Sequence, residues 1–277
     1  MKLSIRGMLI SVASIFAVAA LGLTSQSSEA SAYSKSSTPT FFLHGAGETA
    51  KTFNDTISNA GKKGIAKKAY TATVSSSGKV SLSGKWTSKN PMVHIIFKNN
   101  RQGSVQTTSR WINTVMKKVN AKKHFTKYNF VSHSKGSNDF MNYELRYGSK
   151  TGSPKLKTWV TVGGPFNGVL GWQGERANQI KLSSAGKPTK MFSYYQYYLT
   201  NRSKFPKSAK IANVYGDLRN GTDSDGIVSN QSSGSLKYLL KGRVKSYAQK
   251  QFTGAYASHS KQTHSPNVQT YVYKSLW

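Results

Sequence analysis

An α/β fold, with a mostly parallel sheet covered by helices on both faces, is predicted for this chain by three observations. Short β-branched or aromatic runs alternate with segments of helical apolar spacing along most of its length. Several of the runs exit into glycine-rich or small-residue turns, such as HGAG and GGPFNG. Beyond an N-terminal leader the chain keeps enough residues for one large hydrophobic core.

The leader comes first. Lys2 and Arg6 precede an apolar run from Met8 to Leu23, and Ala30 and Ala32 form an A-x-A-like cleavage site. Residues 1–32 therefore read as a secretory signal peptide, with Tyr33 opening the mature chain. The run, about 16 residues, is short for a bilayer span, and no later segment is long and apolar enough to be one. Residues 33–277 read as a single domain. TFFLHG is a strand, the segment from Lys51 to Lys63 a polar helix, and KKAYTATVS and GKVSLSGKW two strands joined by a Ser/Gly turn. MVHIIFKNN reads as a central strand. Trp111, Ile112, Val115, Met116 and Val119 recur at helical spacing between Gln106 and Lys122. KYNFVSHS is a strand leading into a helix from Lys135 to Tyr147, and LKTWVTVGG, KIANVYGD and KSYAQKQF are further strands. Pro266 is well placed to open a C-terminal helix. The irregular stretch 168–206, with Trp172 and FSYYQYYL, is expected either to cap a site or to pack on the sheet as an ordinary helix.

Composition narrows the function. There is no cysteine, which excludes disulfides, thiolate metal sites, a cysteine nucleophile and a lipoprotein anchor. Export without cysteine fits a bacterial secreted or cell-surface protein. Taking Lys2, Arg6 and Glu29 from the 40 basic and 9 acidic residues leaves 38 and 8 in the mature chain. Such a field attracts polyanions. The lysines are spread through almost every segment, without a basic arm or aromatic-basic repeat, so the expected partner is an anionic cell wall rather than a specific nucleic acid.

The chemistry concentrates at Ser132-His133-Ser134-Lys135-Gly136, between a strand and a helix. A nucleophile elbow needs that placement, because a tight strand-to-helix turn lifts a serine hydroxyl above the sheet, and small flanking residues avoid collisions. Ser132 stands where the usual G-x-S-x-G has its first glycine. The loop His44-Gly45-Ala46-Gly47 comes directly after the first strand and can present a backbone N–H to an oxyanion, with Lys135 N–H as its partner. Together these point to an α/β-hydrolase fold with Ser134 as nucleophile. A triad then needs an acid and a histidine downstream. Asp139 and Glu144 lie on the helix after the elbow and cannot reach round. Asp225 is preferred over Asp223, and both over Asp217; calcium binding is the rival role for this acidic loop. His259 and His264 both qualify as the base.

These residues resemble the DUF915 group of bacterial α/β-hydrolases, cell-surface hydrolases distantly similar to lipases. The resemblance is carried by HGAG, VSHSKGS, GGPFNG, VYGDLRNGTDSDGIVSNQSS and HSKQTHSPNV. It implies His259 as the base, from the HS pair that precedes Pro266 and Val268, and Asp225 as the acid, from S-D-G-x-V. The group commonly has G-H-S-M-G-G, whereas this chain has Ser132, Lys135 and Ser137. Lys135 is expected either to favour anionic substrates or to point into solvent. The resulting expectation is a secreted ester hydrolase acting through an acyl-enzyme, with Ser134, Asp225 and His259 catalytic, Ala46 and Lys135 as oxyanion donors, and no metal or organic cofactor. The alternative is a non-catalytic basic envelope protein that binds anionic wall polymers.

Overall fold

A computed structural model describes residues 33–172 and 175–277; the expected signal peptide lies outside the described residues. In chain order the elements are β1 (Thr40–Leu43), α1 (Lys51–Lys62), β2 (Lys67–Val74), β3 (Val80–Gly84), β4 (Pro91–Phe97), α2 (Val105–Lys122), β5 (Lys127–His133) and α3 (Lys135–Tyr143). They continue with β6 (Lys155–Val162), α4 (Ser193–Asn201), β7 (Lys210–Asp217), α5 (Asn230–Gly234), α6 (Leu236–Leu240), β8 (Ser246–Thr253) and α7 (Pro266–Leu276). Among the described residues eight strands form one sheet in the order β3-β2-β4-β1-β5-β6-β7-β8. The β2–β3 hairpin is antiparallel and every other pairing is parallel. No helix of the described residues is long and apolar enough to cross a membrane.

The central strands are near-continuously apolar because both faces of the sheet are covered. β1 shows it directly: Phe41 and Leu43 enter a core on one face, and Phe42 enters a second core on the other. The first face receives α2, α3 and α4, with Trp111, Ile112, Val115, Met116 and Val119 buried as their spacing requires. The second receives α1 and α7, through Phe53, Ile57, Val268 and Val272. Ser104 caps α2 by accepting the Thr107 N–H, and Ser265 caps α7 through Val268 N–H with proline in its first turn. At the sheet edge β8 is mostly exposed and carries Lys250, a charge that discourages edge-to-edge pairing.

Two local departures from the expected elements have physical causes. The helix after the elbow is α-helical only to Tyr143 and then runs as a π-turn, Glu144–Gly148. There the buried Glu144 carboxyl faces Tyr128 OH and packs against Gly148, where a Cβ would meet Glu144 Oε2 at 2.0 Å. The serine-rich stretch before β8 folds as the short helices α5 and α6; α5 lacks a helical apolar repeat and is held by hydroxyl contacts such as Ser232 Oγ to Gly168 O, 2.8 Å, while α6 buries Leu236, Leu239 and Leu240 in the core.

Truncating Ile112 to alanine removes a fully buried side chain from the α2 seam. Unfolding free energy should fall by about 2–5 kcal/mol, while Lys117→Ala on the exposed side should stay within about 0.5 kcal/mol. Urea titration of both variants tests this; equal losses would contradict the assigned face.

Candidate active site

β5 delivers Ser134 to the C-terminal end of the sheet, and the chain turns at once into α3. To make that turn Ser134 adopts φ 51 and ψ −132, a conformation that L-residues avoid. Its surroundings leave no space for bulk. A Cβ on Gly45 would sit 2.6 Å from Ser134 Cβ, and one on Gly136 would sit 2.5 Å from His44 O. Ser132, where a glycine is usual, is accommodated in a buried hydroxyl cluster. It accepts Trp159 Nε1–H at 2.9 Å and meets Ser137 Oγ at 3.0 Å, and Ser137 in turn accepts from Thr161 Oγ1 at 2.8 Å.

The structure brings Ser134, His259 and Asp225 into one chain of contacts. His259 Nε2 lies 2.8 Å from Ser134 Oγ, and Nδ1 lies 2.8 Å from Asp225 Oδ2. Asp225 is almost fully buried and held from four directions. Its Oδ1 accepts the N–H groups of Ile227 (3.0 Å) and Val228 (2.7 Å), and its Oδ2 also accepts Gln262 Nε2–H at 2.8 Å. A carboxylate so fixed holds the imidazole with its proton on Nδ1, leaving Nε2 to accept from the serine. Gly163, at φ +58, gives the ring room, since a Cβ there would lie 3.2 Å from His259 Nδ1. The backbone N–H groups of Ala46 and Lys135 have no hydrogen-bond partner among the described residues, and both residues line the same cleft as Ser134.

The other candidates go elsewhere. His264 Nδ1 pairs with Asp55 at 2.7 Å in an exposed position. Asp217 accepts from Arg219 N–H and Gln251, so it and Asp225 serve different partners. Lys135 does neither thing expected of it. Its ammonium donates to buried Asp139 at 2.6 Å, and Asp139 also accepts Thr108 Oγ1–H at 2.7 Å, so the charge is neutralised in the cleft wall.

Glu48 and His133 escaped the sequence reading. The triad order directs the search for both the acid and the histidine downstream of Ser134, which leaves these two residues out. In the structure Glu48 accepts the N–H of Gly45 at 2.7 Å and Thr52 Oγ1–H at 3.0 Å, and pairs with His133 Nδ1. The other face of that imidazole, Nε2–H, donates to the His259 carbonyl at 2.9 Å. Burial opposes charge on both groups, yet their mutual attraction wins. The Glu48 carboxyl is held at about 2 and His133 titrates above its ordinary range. This ion pair ties the HGAG loop, the end of β5 and the His259 backbone together. His44 finishes the loop as a neutral ring: burial lowers its pKa, Nδ1–H donates to Gly45 O (2.8 Å), and Nε2 accepts Phe97 N–H (3.0 Å). A signal was available, since a carboxylate four residues after His44 stands out in so acid-poor a chain.

Ligand atoms of Glu48, His133 and His259 come within 4.8 Å of one another among the described residues. All four imidazole nitrogens are already engaged, two of them by Asp225 and Ser134, so a cation there would have to displace these contacts. The cleft beside Ser134 encloses about 650 Å³. One wall is apolar, with Val105, Pro165, Val169, Trp172 and Ile227, and Trp172 and Ile227 are exposed at its rim. Within 168–206, Trp172, Ser193 and Tyr194 line the cleft while Tyr195 is buried in the core.

A family model described as an alpha/beta hydrolase of unknown function, DUF915, matches residues 27–277. Two solved structures share the fold. The product of gene lin2722 from Listeria innocua is 23% identical, with a TM-score of 0.75 over 86% of this chain and 93% of that one. A Lactobacillus plantarum protein, provisionally described as a cell surface hydrolase, is 22% identical, with a TM-score of 0.68 over 87% and 90%. No curated protein matches the chain by sequence. The chain belongs to the DUF915 family of α/β-hydrolases.

The Glu48–His133 pair gives stability a defined pH window. His133, raised above 6.5, contributes fully below that pH and loses its contribution as pH climbs through its folded pKa; Glu48, lowered from 4.5, contributes above 4.5 and loses as pH falls toward 2. Glu48→Gln should therefore cost most near pH 5–6, with a loss of about 3–5 kcal/mol for an orphaned buried charge, and less at alkaline pH. Thermal melts of parent and variant across pH check this; parallel profiles would contradict it.

Proposed function

We propose that this DUF915 hydrolase is a secreted serine esterase that cleaves a carboxylic ester through an acyl-enzyme on Ser134. The observation that carries the reading is the continuous Ser134–His259–Asp225 contact chain, with both links at 2.8 Å, on a serine held in a strained turn.

The steps use only the donors and acceptors already described. Ser134 Oγ attacks the ester carbonyl carbon while His259 Nε2 takes the hydroxyl proton, and Asp225 stabilises the imidazolium. The carbonyl oxygen becomes an oxyanion facing the uncommitted N–H groups of Ala46 and Lys135, each such donor contributing about 3–4 kcal/mol. Collapse breaks the bond to the alcohol, which leaves with the proton from His259. Water then attacks the acyl carbonyl carbon as His259 takes its proton, the bond to Ser134 Oγ breaks to release the acid, and His259 returns the proton to Ser134 Oγ. The apolar wall of Val105, Pro165, Val169 and Ile227 suits an acyl chain, and residues 168–206 act as its cap. An exported location is consistent with the leader at residues 1–32.

Hydrolysis of p-nitrophenyl butyrate by the mature chain tests the proposal. Ser134→Ala and His259→Ala should each lower kcat at least about 1000-fold, with residual rate left by the oxyanion donors, while His264→Ala should stay within about twofold. A parent inert across acyl lengths, or a Ser134→Ala variant as active as the parent, would overturn it.

A further inference from the structure

A second concavity lies away from Ser134 and encloses about 750 Å³. Five of the eleven residues around it are cationic: Arg202, Lys207, Lys237, Lys241 and Arg243. Across the chain the share is 40 of 277, about one in seven, so the cations are concentrated roughly threefold even for this basic protein. No acidic residue lines it.

Two of the cations are held in place. Arg202 stacks over the Tyr238 ring at 5.2 Å while its Nη1–H donates to Tyr238 O at 2.9 Å. Lys237 donates to Ser184 O at 2.6 Å, across a turn that packs on α6 so closely that a Cβ on Gly186 would lie 2.9 Å from Lys237 Cβ. The side chains of Lys207, Lys241 and Arg243 are exposed and make no hydrogen bond or ion pair among the described residues. Like charges gathered in a concave wall repel one another, and a bound polyanion relieves that cost.

The position matters as much as the charge. Phe205 and Lys207 precede β7, and Lys241 and Arg243 precede β8, whereas Ser134 and Gly163 lie just past the C-terminal ends of β5 and β6 in the same parallel sheet. The basic concavity and the cleft thus sit at opposite ends of the strands. An occupant of one leaves the other open.

We propose that this concavity is a binding site for a flexible phosphodiester polymer, a polyol phosphate chain of the kind an anionic envelope presents. Several features select that class. A concave site framed by spaced cations admits a thin, flexible chain of phosphates. Single-stranded nucleic acid binds on exposed aromatic platforms, whereas here Phe205 is buried and Tyr238 is covered by Arg202. A membrane surface would want exposed apolar side chains, and Trp172 and Ile227 lie at the cleft instead. The site does not depend on the esterase reading.

The test is binding of a synthetic poly(glycerol phosphate) oligomer to the mature chain, measured by titration calorimetry at several salt concentrations. The triple variant Lys207→Gln/Lys241→Gln/Arg243→Gln should lose at least about tenfold in affinity and flatten the salt slope by about 2, as expected for three lost phosphate contacts. A control, Lys79→Gln/Lys122→Gln/Lys250→Gln, removes the same charge from exposed positions elsewhere and should change affinity less than twofold. Thermal melting followed by circular dichroism reports folding in both variants and should match the parent. Equal losses in the two triples would overturn the proposal in favour of diffuse surface charge. So would tighter binding of oligo(dT) of equal charge, or binding confined to phosphatidylglycerol vesicles.

Discussion

The turn at Ser134 is the constraint on which the rest of the site depends. A serine at φ 51 costs about 1–3 kcal/mol of backbone strain, and it persists because its neighbours leave no alternative. β5 fixes the chain before it, α3 begins directly after it, and the HGAG loop crosses at van der Waals distance. Gly45 and Gly136 lack side chains because Ser134 Cβ and His44 O occupy the space that a Cβ would need. That same crowding brings the two uncommitted N–H groups, of Ala46 and Lys135, into one cleft. Strain, glycine placement and anion-binding geometry are consequences of a single tight crossing.

Charge is distributed with corresponding economy. The chain has nine acidic residues, and several of those described are buried at structural junctions rather than spread over the surface. Asp225 orients His259, Asp139 neutralises Lys135, and Glu48 pairs with buried His133, which donates to the His259 carbonyl. His259 is thus fixed on two sides, by Asp225 through its ring and by His133 through its backbone. Such pairs are costly to desolvate and costly to break singly, which suits a site whose geometry must be held to tenths of an ångström.

Much of this was legible in the sequence because it is written in local pattern. The period of α2, the apolar run of β1 and the strand–serine–helix order at β5 are consequences of a few adjacent residues, and each appears where pattern places it. Ser134, Asp225 and His259 meet as their chain order requires, though His264 was separated from His259 only by family resemblance and then by its contact with Asp55. What could not be read was long-range pairing. Glu48 reaches His133 across 85 positions, a pairing with no sequence signature because it depends on how loops cross after the sheet has formed. The Lys135–Asp139 pair, by contrast, is an i,i+4 contact within α3 that helical spacing alone could have shown. The helix α5 is not legible for a related reason: hydroxyl contacts with the loop after β6 hold it in place of an apolar stripe.

The central claim, that Ser134 is the nucleophile activated by His259, is tested most directly by covalent capture. Residues 33–277 would be treated with a fluorophosphonate, and the adduct located by intact mass and peptide mapping. One adduct per chain is expected, on Ser134, formed at least about 1000-fold more slowly in His259→Ala. No adduct, an adduct on another serine, or equal labelling in the His259 variant would contradict it.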